Sequence, residues 1–120
     1  MDRKKAISLI IEYEKKQGRN PEVVNKFKLG YDIKSDNRFI DVKINGKKEK
    51  NLLLSFIKLK KLGKNFLNYY VYIITKEEKP KLRILEPEFI LKNISLLTLI
   101  SIKSNVLNTL QTIELDNQNG

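Results

Sequence analysis

The chain has 120 residues, with 24 Lys and Arg against 14 Asp and Glu for a formal net charge of +10, and it contains neither cysteine nor histidine. Disulfide staples, thiolate or imidazole metal sites, cysteine nucleophiles and histidine general bases are excluded, so any catalysis must run on carboxylates, lysine, tyrosine or a hard metal ion. The length suits a single domain over 1–120, with a core at about 4–92 and a C-terminal extension at 93–120, and the charge favours a polyanionic partner, DNA first.

The most apolar run, Ile94 to Ile102, is too short to cross a bilayer, and no secretory leader pattern is present. A soluble cytoplasmic protein without membrane contact is expected.

Lys4 to Gln17 reads as the first helix, stopped by Gly18 and followed by an Asn20-Pro21 turn. At about 100° per residue, Ala6, Ile7, Leu9, Ile10 and Tyr13 share one apolar face. Glu14 falls inside that face, while Glu12 falls on the other side. An acid on a core-facing stripe costs free energy unless it is paired with a cation or bound to a metal. Pro21 to Phe27 is assigned to loop, with a short extended piece at Val23 and Val24.

Gly30 to Ile33 and Phe39 to Lys43 read as short strands around a Ser35-Asp36-Asn37-Arg38 turn. Symmetric closure pairs Ser35 with Arg38, Lys34 with Phe39, Ile33 with Ile40 and Asp32 with Asp41. Like charges directly opposite repel, so a divalent cation is the expected compensation. Lys43 shares the face of Asp41, because side chains alternate along a strand.

A charged Asn45-Gly46 turn follows, and Leu52 to Ser55 reads as a buried strand. Phe56 to Leu67 reads as a second helix whose basic face carries Lys58, Lys60, Lys61 and Lys64. Tyr69 to Thr75 is apolar on both faces, as a central strand should be. Leu82 to Leu85 returns as a strand that Pro87 stops, Glu88 to Lys92 suggests a short helix, and β-branched Ile94 to Ile102 suggests another strand.

Glu14, Asp32 and the run Asp41-Val42-Lys43 resemble the core of PD-(D/E)xK nucleases. The wider text, Glu12-Tyr13-Glu14, Gly18-Arg19-Asn20-Pro21, Gly30-Tyr31-Asp32-Ile33-Lys34-Ser35, Arg38 to Lys43, Tyr70 to Ile74 and Glu86-Pro87, resembles the NO VEIN C-terminal domain family. That likeness implies an α/β restriction-endonuclease-like core, with a central mixed four- to five-stranded sheet flanked by helices. It implies a metal-dependent DNA endonuclease-like domain acting in restriction, phage defence or DNA repair, or alternatively a non-catalytic DNA-binding or sensing module.

Under the nuclease reading, Asp32, Asp41, the Val42 carbonyl and Glu14 would hold Mg²⁺ or Mn²⁺, with Lys43 as the catalytic cation. Lys34, Arg38, Lys47, Lys48, Lys50, Lys60, Lys61 and Lys64 would contact the DNA backbone. Expected partners are DNA, helicase or ATPase subunits of a larger assembly, and a second copy of the chain. The sequence departs from the family pattern at Asp41, where a glutamate is usual, at Ile44 in place of glycine, and at Lys58 in place of an acid. Archaeal Holliday-junction resolvases are similar in size, charge and core motif, but their glycine-acid pair early in the first helix is missing here.

Overall fold

Asp2 starts the first helix by accepting the Lys5 amide on its side chain at 2.8 Å, and α1 then runs Arg3–Lys16. Its stop is Gly18, at φ +82°, which turns the chain so that the Arg19 amide donates back to the Glu14 carbonyl at 3.0 Å. A side chain in this left-handed conformation is strained although nothing crowds the position. Gly18→Ala should therefore cost about 1 kcal/mol in chemical denaturation without altering the midpoint slope.

A computed structural model describes residues 1–24, 29–45, 52–54, 62–93, 95–96, 100–102 and 104–115. After α1 come β1 (Pro21–Val23), β2 (Ile33–Ser35), β3 (Arg38–Asn45) and β4 (Leu52–Leu54), then a 3-10 helix at Gly63–Asn68 and β5 (Tyr69–Thr75). The chain continues with β6 (Lys81–Leu85), α2 (Pro87–Asn93), β7 (Ser95–Leu96), β8 (Ile100–Ile102), α3 (Ser104–Leu107) and β9 (Ile113–Glu114).

Six strands form a mixed sheet in the order β1-β2-β3-β5-β6-β9, in which β3 and β5 run parallel and the other neighbours antiparallel. The expected α/β class is observed, with strands added at both edges. β1 lies in the stretch expected to be loop, and it opens on Pro21, whose missing N–H is tolerated on an edge. β9 shows that the residues after 93 contribute to the main sheet through Leu82↔Ile113. The run from Ile94 to Ile102, expected as one strand, instead supplies β7 and β8, which pair antiparallel with each other. β4 joins β8 in this small second sheet. Of the expected helix from Phe56 to Leu67, only its end is described, and there it is 3-10.

Two apolar layers sandwich the main sheet. On one side Ala6, Leu9 and Ile10 of α1 pack with Ile33, Ile40, Val42, Tyr72, Ile74 and Leu82. On the other, Val71, Ile73 and Leu85 pack with Ile90 of α2, Ile102 of β8 and Leu107 of α3. The period-2 pleat thus sends Ile40 and Val42 towards α1, and their neighbours Asp41 and Lys43 to the opposite face.

Candidate functional site

The site begins where β2 ends. The hairpin register is Ile33↔Ile40, Lys34↔Phe39 and Ser35↔Arg38, turning on Asp36 at φ +50°. It stops one residue short of the expected pairing of Asp32 with Asp41. The Asp32 amide donates to the Ile40 carbonyl at 2.8 Å, and the Asp32 carboxylate accepts the Val42 amide through Oδ2 at 2.8 Å. Among the described residues no strand pairs with this side of β3 beyond Ile40, so its backbone groups take other partners. Asp32 supplies one of them, and that role pins its carboxylate along β3.

Arg3 supplies the other. Its Nη1 donates to the Val42 carbonyl at 3.2 Å, and its Nη2 donates to Asp32 Oδ1. The Asp32 side chain is 4 % exposed and that of Arg3 is 44 % exposed, so the guanidinium closes the site from the solvent side. Nothing in the sequence reading named Arg3. A signal was present, because Arg3, Lys4 and Lys5 put cations in the first turn of α1 with no acid among them, against the helix dipole.

Asp41, the residue before Val42, is fully buried. Its Oδ2 accepts the Tyr69 hydroxyl at 2.8 Å and lies 3.5 Å from the Lys43 ammonium. Burial, followed by the charge of Asp41 and the hydrogen bond to it, pushes the Tyr69 hydroxyl well above its ordinary range, so it remains a donor. Tyr69 also stacks on Phe66, with ring centroids 5.9 Å apart. Its strand was legible as core, but its hold on Asp41 was not.

Among the described residues Glu14 does not gather with Asp32 and Asp41 into a cluster of three acids. It is buried under α1, where its carboxylate accepts Arg19 Nε at 2.6 Å, Arg19 Nη2 at 2.7 Å and the Tyr72 hydroxyl at 2.8 Å. Burial alone would raise its pKa, but the bonds from Arg19 and Tyr72, with Ser35 alongside, outweigh it and hold the carboxyl below its ordinary value. The reason it stays apart is the pleat: α1 covers Ile40 and Val42, and Asp41 points the other way.

Arg38, expected on DNA, is likewise committed within this layer. Its Nη1 donates to the Tyr72 hydroxyl at 2.8 Å, and its guanidinium lies 4.4 Å from the centroid of the Tyr70 ring. Lys34 and Lys64 are exposed, and Lys34 sits opposite Glu22 in the β1–β2 register. Lys47, Lys48, Lys50, Lys60 and Lys61 lie outside the described residues.

The carboxylate of Asp32, the carbonyl of Val42 and the carboxylate of Asp41 are hard oxygen donors of the kind Mg²⁺ takes. A cation already bridges two of them, the Arg3 guanidinium, so the chemistry of the pocket fits a positive charge. Among the described residues no cluster of three or more acidic side chains gathers to hold a metal. A divalent ion here would rest on two carboxylates, one carbonyl and retained waters.

No curated protein matches the sequence. Among solved structures the chain is similar to the Holliday junction resolvase Hjc of Archaeoglobus fulgidus, with 16% identity, a TM-score of 0.60, and coverage of 92% of this chain and 90% of that one. The fold is therefore that of an α/β nuclease-like domain. The family model described as "Protein NO VEIN, C-terminal" matches residues 3–85. With more than half of its length matched and the nuclease-like sheet in place, the chain belongs to the NO VEIN C-terminal family.

Proposed function

We propose that this domain binds DNA and hydrolyses its phosphodiester bonds at the centre formed by Asp32, Asp41, Val42 and Lys43. The observation that carries this reading is that Arg3 bridges the buried Asp32 carboxylate and the Val42 carbonyl, while Asp41, buried one residue before Val42, lies 3.5 Å from the Lys43 ammonium. Asp32, Asp41 and the Val42 carbonyl would hold Mg²⁺ or Mn²⁺, which when bound lowers the pKa of an attacking water and neutralises charge on the phosphoryl oxygens.

The chain's own groups do the positioning. Val42 N–H fixes one Asp32 oxygen, and Tyr69 O–H fixes one Asp41 oxygen, so neither carboxylate has rotamers to spend when a ligand arrives. Lys43, partly exposed, is placed to stabilise negative charge developing on the phosphate. The exposed Lys34 and Lys64, and lysines of 46–51 and 55–61, contribute backbone contacts that are independent of base sequence. Restriction, phage defence and repair are settings in which such chemistry serves, and helicase or ATPase subunits are the partners that would deliver DNA to it.

A second reading, a DNA-binding module that keeps the fold without cleavage, is favoured by one observation: Arg3 holds the cation position and Glu14 is spent on Arg19. A nicking assay on supercoiled and branched DNA separates the two. The nuclease reading expects cleavage with Mn²⁺ that disappears in EDTA and in Lys43→Ala. Retained DNA binding with no cleavage under any of these conditions supports the module.

A further inference from the structure

A divalent ion and the Arg3 guanidinium want the same atoms. Nη1 of Arg3 takes the Val42 carbonyl and Nη2 takes Asp32 Oδ1, which are two of the oxygens assigned to the metal above. We infer that Arg3 is the resident counter-ion of this centre, and that a divalent cation binds only by displacing it. The inference rests on the nuclease reading of the site and adds a competition that the reading does not contain.

Three features support it. First, the guanidinium sits in the first turn of α1, whose amides favour anions, and its side-chain bonds run to Asp32 and the Val42 carbonyl, so its seat depends on these oxygens. Second, like charges in one small site exclude each other: the guanidinium and a divalent ion seeking the same oxygens repel. Third, Arg3 has somewhere to go. Its side chain is 44 % exposed, and a groove of about 580 Å³ opens beside it between α1 and β1, lined by Arg3, Lys4, Ile7, Ile11 and Val23 among others. Withdrawal needs only rotamer changes of one side chain at the start of a helix.

Asp32 then faces two exclusive states. With Arg3 in place, its second oxygen is satisfied by protein and the β3 edge is closed. With Arg3 withdrawn, Oδ1 and the Val42 carbonyl are released together, while the Val42 amide keeps the carboxylate in position. The site would thus bind a metal weakly in the isolated protein, and tightly once the guanidinium is removed.

The test is a Mn²⁺ titration followed by the electron paramagnetic resonance of free Mn²⁺, on the full chain and three variants, with circular dichroism melts to establish folding. Arg3→Gln should bind Mn²⁺ at least tenfold more tightly than the unaltered protein. Lys4→Gln removes the same charge from an exposed neighbouring position and should change affinity less than twofold. The gain in Arg3→Gln should vanish when Asp41→Asn is added. Equal affinity in Arg3→Gln and the unaltered protein, both binding through Asp41, overturns the competition while leaving the metal site standing. Absence of Mn²⁺ binding in a folded Arg3→Gln protein overturns both the competition and the metal reading. A gain in Lys4→Gln equal to that in Arg3→Gln overturns the competition in favour of a general effect of net charge.

Discussion

Arg19→Ala should destabilise the fold by about 3–5 kcal/mol at neutral pH, because it leaves the fully buried Glu14 carboxylate to neutral hydroxyls, Tyr72 with Ser35 alongside. Arg19 makes both of the short charged bonds to Glu14. Urea denaturation measures the loss. The pH dependence carries a sign that tests the cause. In the unaltered protein the Glu14 pKa is lowered from 4.5, so its contribution is fully present above that value and is lost as pH falls through the folded value. Without Arg19 burial dominates and raises the pKa, so protonation relieves the penalty. The stability gap between the two proteins should therefore narrow as pH falls from 7 towards 4. A gap that widens on acidification would contradict the assignment. Replacing Glu14 by leucine in the Arg19→Ala background should recover much of the loss, since no buried charge is left over.

Asp32→Ala should also destabilise, by about 2–3 kcal/mol, although Asp32 sits in the centre assigned to catalysis. The change removes the acceptor of the Val42 amide, on a β3 edge with no strand beside it among the described residues, and it leaves Arg3 without its carboxylate. Asp32→Asn keeps an oxygen for the amide and should lose less than half as much. The sign is informative. In a site holding two buried acids with no counter-ion, removing one relieves repulsion and raises stability, the usual trade between activity and stability. Here the resident guanidinium already supplies that relief. A rise in the denaturation midpoint for Asp32→Ala would mean that Arg3 does not neutralise this centre in solution.

These two predictions concern parts of the molecule that were unequally legible in the sequence. The hairpin could be read because a polar four-residue turn between β-branched strands leaves one symmetric closure, and its register follows. β5 could be read because Tyr69 to Thr75 is apolar on both faces, which only a covered central strand tolerates. Glu14 stood out as a buried acid, but its partner could not be read: Arg19 reaches it only because Gly18 reverses the chain at the end of α1. The ladder ends before Asp32 because Asp32 itself satisfies the β3 edge, an exchange between side chain and backbone that alternation rules do not contain. β1 and β9 are edge strands of three and two residues, too short to show a period. Arg3 was hidden by its surroundings, since a basic residue among Arg3, Lys4 and Lys5 on a +10 chain reads as surface.

The layers of the fold are more legible in a sequence than the partners of a polar centre. Layer packing depends on the alternation of many apolar residues, and Ile40, Val42, Val71 and Ile73 satisfy it from either side of the sheet. The centre depends on a few polar groups whose partners come from distant segments, Arg3 by 29 residues from Asp32 and Tyr69 by 28 from Asp41.

We propose Asp32, Asp41 and the Val42 carbonyl as one cation site, in which Arg3 now holds Asp32 and Val42 and a metal can take its place. Anomalous scattering from crystals soaked in Mn²⁺ tests it directly. The account predicts one Mn²⁺ peak between the Asp32 and Asp41 carboxylates, with the Arg3 guanidinium withdrawn from Asp32. A guanidinium still seated on Asp32 and no Mn²⁺ at the centre, at concentrations that saturate Arg3→Gln in solution, would contradict it.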